Sequence, residues 1–118
     1  MQMLCLRLLD PSPNNTLWAM RRAARIDGNQ VEIVAALRAA GATVQSLATV
    51  GAGCPDLVAG LGGNNFLFEV KDGSLCKSRR RLTPDEQQWH DAWAGTVHIV
   101  ESAEQAVAIV REALPPER

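Results

Sequence analysis

Three ionisable side chains fall close together in the middle of this chain: Asp56, Glu69 and Lys71. Two carboxylates and an ammonium at one place could hold a divalent cation and steady an anion beside it. Whether they meet is decided by local structure. The stretch Gly51–Lys71, GAGCPDLVAGLGGNNFLFEVK, reads as two short strands, Asp56–Leu61 and Phe66–Lys71, joined by a Gly-Gly-Asn-Asn turn. Side chains alternate along a strand. Phe66, Phe68 and Val70 therefore share one face, and Leu67, Glu69 and Lys71 the other. A two-residue loop at Gly62 and Gly63 sets Asp56 opposite Glu69. A four-residue loop, Gly62 to Asn65, sets it opposite Lys71. Both registers put all three groups on one face, and a three-residue loop turns Asp56 away unless a bulge restores it.

Cross-strand Cβ atoms lie about 5 Å apart. Two carboxylates at that separation repel by roughly 3 kcal/mol at an effective dielectric of 20. Lys71 offsets part of this cost. A divalent cation between the carboxylates would offset the rest, and Mg²⁺ is commonly held by one or two carboxylates plus waters and substrate phosphate oxygens.

Pro55-Asp56, followed after twelve residues by Glu69-x-Lys71, resembles the motif of the PD-(D/E)XK nucleases. The flanking G-x-G-x-P-D-L-V-x-G and F-E-V-K-D-G are similar to the small virus-type replication-repair nuclease branch. The likeness spans roughly Asp27 to Val110. It implies a restriction-endonuclease-like α/β sandwich, a small mixed sheet flanked by helices in the core order αβββαβα. It implies DNA endonuclease chemistry with Mg²⁺ or Mn²⁺ held by Asp56, Glu69 and the Val70 backbone carbonyl. Lys71 would orient the attacking water or face the charge developing on the phosphate.

The elements that must position these residues are legible around them. At 118 residues the chain is one domain, long enough for a real core. Residues 1–26 read as an arm and a short helix, and 27–118 as the nuclease-like domain. Asp27-Gly28-Asn29 opens a helix from Gln30 to Ala40, with Val31, Val34 and Leu37 marking its period and Gly41 ending it. Glu32 on this helix is either a first-turn acid favoured by the dipole or, as in related nucleases, an addition to the metal site. Thr43–Leu47 reads as a strand. The small-residue loop Ala48–Cys54 contains G-A-G, a weak nucleotide-site signal that fits close approach of a phosphodiester backbone equally well.

After Asp72-Gly73 comes a basic loop. Lys77, Arg79, Arg80 and Arg81 join Lys71 to place five cations in eleven residues. Beside a phosphodiester site such a run is expected to contact phosphates. Thr83-Pro84-Asp85-Glu86 is a helix start with N-cap, N1 proline and capping box. The helix runs to about Ala94. Trp89 and Trp93 read as core. Gln87 or Gln88 matches the Gln that some relatives place near the metal or scissile phosphate. Thr96–Val100 is an alternating strand, with His98 opposite in facing to Val97 and Ile99. His90 and His98 both read as structural. Ser102–Gln105 is a second capping box, opening a last helix to about Ala113 with Ala106, Val107 and Val110 inward.

Net charge is −1, so nucleic-acid binding must come from a local patch rather than a global field. Cys5, Cys54 and Cys76 form no C-x-x-C pair, and an odd count points to a reducing compartment. The expectation is a cytoplasmic protein of a bacterial or phage-infected cell, with no membrane segment. The free-standing small relatives resemble junction-cutting enzymes, which implies a homodimer acting on branched DNA such as a four-way junction. The apolar Met1–Leu9 arm is the expected interface. The alternatives are a catalytically silent nuclease-like fold that binds nucleic acid or protein, and a small α/β nucleotide- or phosphate-binding protein built on the Gly51–Gly53 loop. The latter predicts ligand binding that survives loss of Glu69.

Overall fold

The structure, a computed structural model, describes residues 28–115. The Met1–Leu9 interface, the arm and the short helix before Asp27 lie outside the described residues. The elements are α1 (Gln30–Ala39), β1 (Thr43–Ser46), β2 (Leu57–Leu61), β3 (Asn64–Val70), the one-turn α2 (Lys77–Arg80), α3 (Pro84–Ala92), β4 (His98–Val100) and α4 (Ala103–Glu112). This is an α/β architecture. The expected core order is present, with the short α2 added where a basic loop was expected. The sheet is mixed and its strands lie in the order β1-β2-β3-β4. β1 and β2 pair antiparallel, as do β2 and β3, while β4 joins β3 in parallel.

The β2–β3 connection uses two residues, Gly62 and Gly63, with φ of 60° and 82°. Two successive positive φ values suit the hairpin turn that matches strand twist, and glycine adopts them without a Cβ penalty. Asn64 and Asn65, read as turn, instead pair with Leu61 and Gly60. β3 is therefore longer at its start than the sequence suggested.

The core lies on one face of the sheet. Leu57, Ala59, Phe66, Phe68, Val70 and Val100 meet Ile33 and Leu37 of α1 and Ala106 and Val110 of α4. Val31 is 76% exposed, so the buried stripe of α1 runs through Gln30, Ile33 and Leu37 rather than through Val31. The helix closes as expected at Gly41, φ 100°, with Gly41 N–H on the Arg38 carbonyl and Ala42 N–H on the Leu37 carbonyl. Asn29 does not cap the helix with its side chain. Its Nδ2 donates to the Lys71 carbonyl at 3.1 Å and the Glu101 carbonyl at 2.8 Å, tying α1 to the ends of β3 and β4. His98 and Val100 face the core side, where the His98 ring centroid lies 5.7 Å from that of Phe68, and Ile99 is left exposed.

Ser102 caps α4 by accepting from Gln105 N–H, but the Gln105 side chain reaches back to Glu101 N–H rather than to Ser102. Among the described residues, no helix is long and apolar enough to cross a membrane.

Candidate active site

The two-residue hairpin loop fixes the register that brings the three ionisable groups together. One step beyond the Leu57–Phe68 pair, Asp56 comes opposite Glu69. Asp56 is held from both sides: its N–H donates to the Phe68 carbonyl at 3.0 Å, and its carbonyl accepts from Leu47 N–H at 2.8 Å. Its carboxylate then replaces a backbone partner. Oδ2 accepts from the Val70 N–H at 2.7 Å, which anchors the side chain beside β3.

Glu69 and Lys71 point away from the core, as strand alternation requires. Yet both are buried, at 1% and 8% exposure. A carboxylate this deep is costly unless neutralised or paired. Burial, then a hydrogen bond to the Asp56 side chain and the negative charges of Asp56 and Glu86, push the Glu69 carboxyl from 4.5 up to about 10. Lys71 pulls the other way without prevailing. In the metal-free protein these surroundings favour the protonated form of Glu69.

These groups open onto a cleft of about 350 Å³ lined by Asp56, Glu69, Val70 and Lys71, by Leu47, Ala48 and Gly51–Cys54 of the loop before β2, and by Thr83, Asp85 and Glu86 at the start of α3. The loop is shaped by Gly51, Ala52 and Gly53, all with positive φ. A Cβ on Gly53 would overlap the Asp85 carbonyl. The close approach that its small size permits is thus to the first turn of α3. Cys54 lines the cleft near both carboxylates, and burial, then the charges of Glu69 and Asp56, push its thiol pKa up.

α3 starts as expected. Thr83 Oγ1 accepts from Glu86 N–H at 3.2 Å, and Glu86 Oε1 accepts from Thr83 N–H at 2.8 Å. The same Glu86 oxygen lies 2.7 Å from Lys71 Nζ. Burial pushes the Glu86 carboxyl up, but hydrogen bonds from Lys71 and Thr83 outweigh it and hold it below its usual range. One turn on, His90 Nε2 lies 3.4 Å from Glu69 Oε1.

Of the expected site residues, Asp56, Glu69, Val70 and Lys71 converge. Glu32 is exposed on α1, which packs against the opposite face of the sheet, and it does not line the cleft. Gln87 and Gln88 are exposed, and Gln87 Nε2 donates to Asp91 Oδ1 at 2.8 Å instead. Of the basic run, Lys77 and Arg81 are exposed, Arg80 Nη1 pairs with Glu101 Oε2 at 2.9 Å, and the Arg79 side chain lies outside the described set. Trp89 and Trp93 are not core. Their rings stack at 4.6 Å, and Trp93 is 46% exposed.

Sequence reasoning missed Glu86 and His90 as site residues. The signal was present in the helical spacing. Glu86, Trp89, His90 and Trp93 stand at i, i+3, i+4 and i+7, so the face marked by the tryptophans also carries the acid and the histidine.

The donor chemistry fits a hard divalent cation. Among the described residues, no group of three or more His, Cys, Asp or Glu is disposed to hold a metal ion by itself. Two carboxylates leave the rest of the shell to backbone, water and substrate oxygens, the manner of Mg²⁺. The burial and the neighbouring negative charges that raise the Glu69 carboxyl are a cost that a cation at this place would relieve. Comparison of the chain with protein-family models, with curated proteins and with solved structures returned no match.

Proposed function

We propose that this protein is a metal-dependent DNA endonuclease of the PD-(D/E)XK kind, with a restriction-endonuclease-like fold. One observation carries the reading: Asp56, Glu69 and Lys71 share one polar face at the mouth of a cleft, with Glu69 buried against Asp56. Asp56 and Glu69 hold Mg²⁺ or Mn²⁺, with the Val70 carbonyl as a further ligand. When bound, such an ion supplies Lewis acidity toward a phosphoryl oxygen and lowers the pKa of a water. Lys71 orients the water or meets the charge that develops on the phosphate. The substrate is branched DNA such as a four-way junction, cut by a homodimer whose two-fold axis repeats the site on symmetric strands.

The test is cleavage of labelled junction, flap and linear DNAs with Mg²⁺, with Mn²⁺ and with EDTA, alongside light scattering. Metal-dependent nicking that EDTA abolishes is expected. A protein that leaves all substrates intact with either metal is not a nuclease.

The basic segment makes a separate prediction. Lys77 and Arg81 are exposed and free to reach phosphates, whereas Arg80 is already paired with Glu101. Replacing Lys77 and Arg81 together by Ala should weaken DNA binding and flatten its log-log salt dependence by about two units. Replacing Arg80 alone should change the slope less than either. Fluorescence anisotropy over a salt series reads both, and an unchanged slope in the double variant assigns these cations to solvent.

A further inference from the structure

Two side chains on one face of α3 stand over two on one face of β3. Glu86 Oε1 lies 2.7 Å from Lys71 Nζ, and His90 Nε2 lies 3.4 Å from Glu69 Oε1. The pairing follows from geometry. Four residues of α-helix rise about 6 Å, and two residues of strand about 6.7 Å, so a helix running antiparallel to a strand matches i, i+4 to i, i+2. α3 has this orientation, since the earlier helix residue meets the later strand residue.

The geometry points to α3 as the positioning element of the site, with Glu86 setting Lys71 and His90 setting Glu69. This rests on the reading of Asp56, Glu69 and Lys71 as the catalytic set. Lysine carries a flexible four-carbon stem, and a free ammonium would sample many positions. Here its partner is itself anchored, because Glu86 Oε1 also accepts from the Thr83 N–H. The hold on Lys71 is thus transmitted from the backbone at the start of α3. His90 does for Glu69 what outer partners do for metal-binding side chains generally: it fixes the rotation of the carboxyl group. These contacts are shielded from water. Side-chain exposure is 10% and 20% for Lys71 and Glu86, and 11% and 1% for His90 and Glu69.

The two holds act on different steps, so they separate experimentally. Calorimetry of the full chain with Mn²⁺ alone reads the first. His90→Ala should lower Mn²⁺ affinity by about 10- to 100-fold, and His90→Asn should restore part of it. Glu86→Ala should leave Mn²⁺ affinity within about threefold but lower cleavage at saturating Mn²⁺ by about 10²-fold, the scale of a misplaced catalytic group. Glu86→Gln, which can still close the capping box and accept from Lys71, should recover most of that loss. Cleavage by His90→Ala should recover as Mn²⁺ is raised, and cleavage by Glu86→Ala should not. Unchanged Mn²⁺ affinity in His90→Ala, or equal losses in both readouts for both variants, overturns the inference while leaving a cutting wild-type protein a nuclease. A wild-type protein that cuts no DNA but binds Mn²⁺ with an affinity that His90→Ala lowers overturns the nuclease reading and leaves the His90 assignment standing.

Discussion

Asp56→Asn and Glu69→Gln are each expected to abolish cleavage and weaken Mn²⁺ binding while leaving the fold intact. The reason lies in what the fold pays to keep the pair. Glu69 is buried against Asp56, and burial and the charges of Asp56 and Glu86 push its carboxyl from 4.5 up to about 10. The sign follows directly. A carboxyl whose folded pKa is raised contributes stability that is full below about pH 4.5 and is lost as pH rises toward 10. The metal-free wild type should therefore lose stability steadily from acid to alkaline pH. Glutamine copies the protonated acid without needing the proton, so Glu69→Gln should be more stable than wild type by about 1–3 kcal/mol at pH 7 and should flatten the pH dependence. Metal reverses the trend. A cation must displace the proton, so Mn²⁺ affinity should rise with pH through the neutral range. Thermal unfolding from pH 5 to 9, with EDTA and with Mn²⁺, reads both effects. Full cleavage in either variant would remove the assignment, and an alkaline gain in metal-free stability would remove its electrostatic basis.

Lys71→Ala should cut the cleavage rate by a factor on the order of 10² or more at saturating metal, since a preorganised cation facing developing charge contributes that much. Metal binding should persist, because Asp56 and Glu69 remain and a nearby positive charge has gone. Stability should fall modestly. Glu86 loses its 2.7 Å partner in a half-buried setting but keeps the Thr83 N–H. Lys71→Met, which fills the space of the stem, separates packing from charge and should be as inactive as the alanine variant. Loss of Mn²⁺ affinity with turnover preserved would make Lys71 a structural residue.

How much of this was legible before the structure depends on the kind of force involved. Strand alternation and turn chemistry are local, so the shared face of Asp56, Glu69 and Lys71 followed from the spacing. The choice between two- and four-residue loops did not, because Asn64 and Asn65 are good turn residues that tertiary pairing drew into β3. The glycine that ends α1 and the capping box that opens α3 are likewise local and were found. The partners of Glu86 and His90 were not, since a capping acid and a helix histidine look the same whether they face solvent or a strand. Trp89 and Trp93 misled for a related reason. Aromatic residues four apart usually mark a core, but the face of the sheet beneath α3 is given over to charged groups. The burial of Val31 failed because the stripe of α1 was set one position away, through Ile33.

The way α3 is attached has a bearing on how the molecule comes apart. α1 buries Gln30, Ile33 and Leu37, and α4 buries Ala106 and Val110, but α3 buries none of its residues. Segments with little buried apolar surface open at lower free energy than the fold as a whole. The amides of α3 should therefore exchange with deuterium through local opening, well before those of β2, β3 and α1. Each such opening carries Glu86 away from Lys71 and His90 away from Glu69 without disturbing the sheet. Inactivation on warming should then precede global unfolding: nicking activity should fade several degrees below the temperature at which far-ultraviolet circular dichroism reports loss of structure. The protein would have two melting points, one for its chemistry and one for its chain.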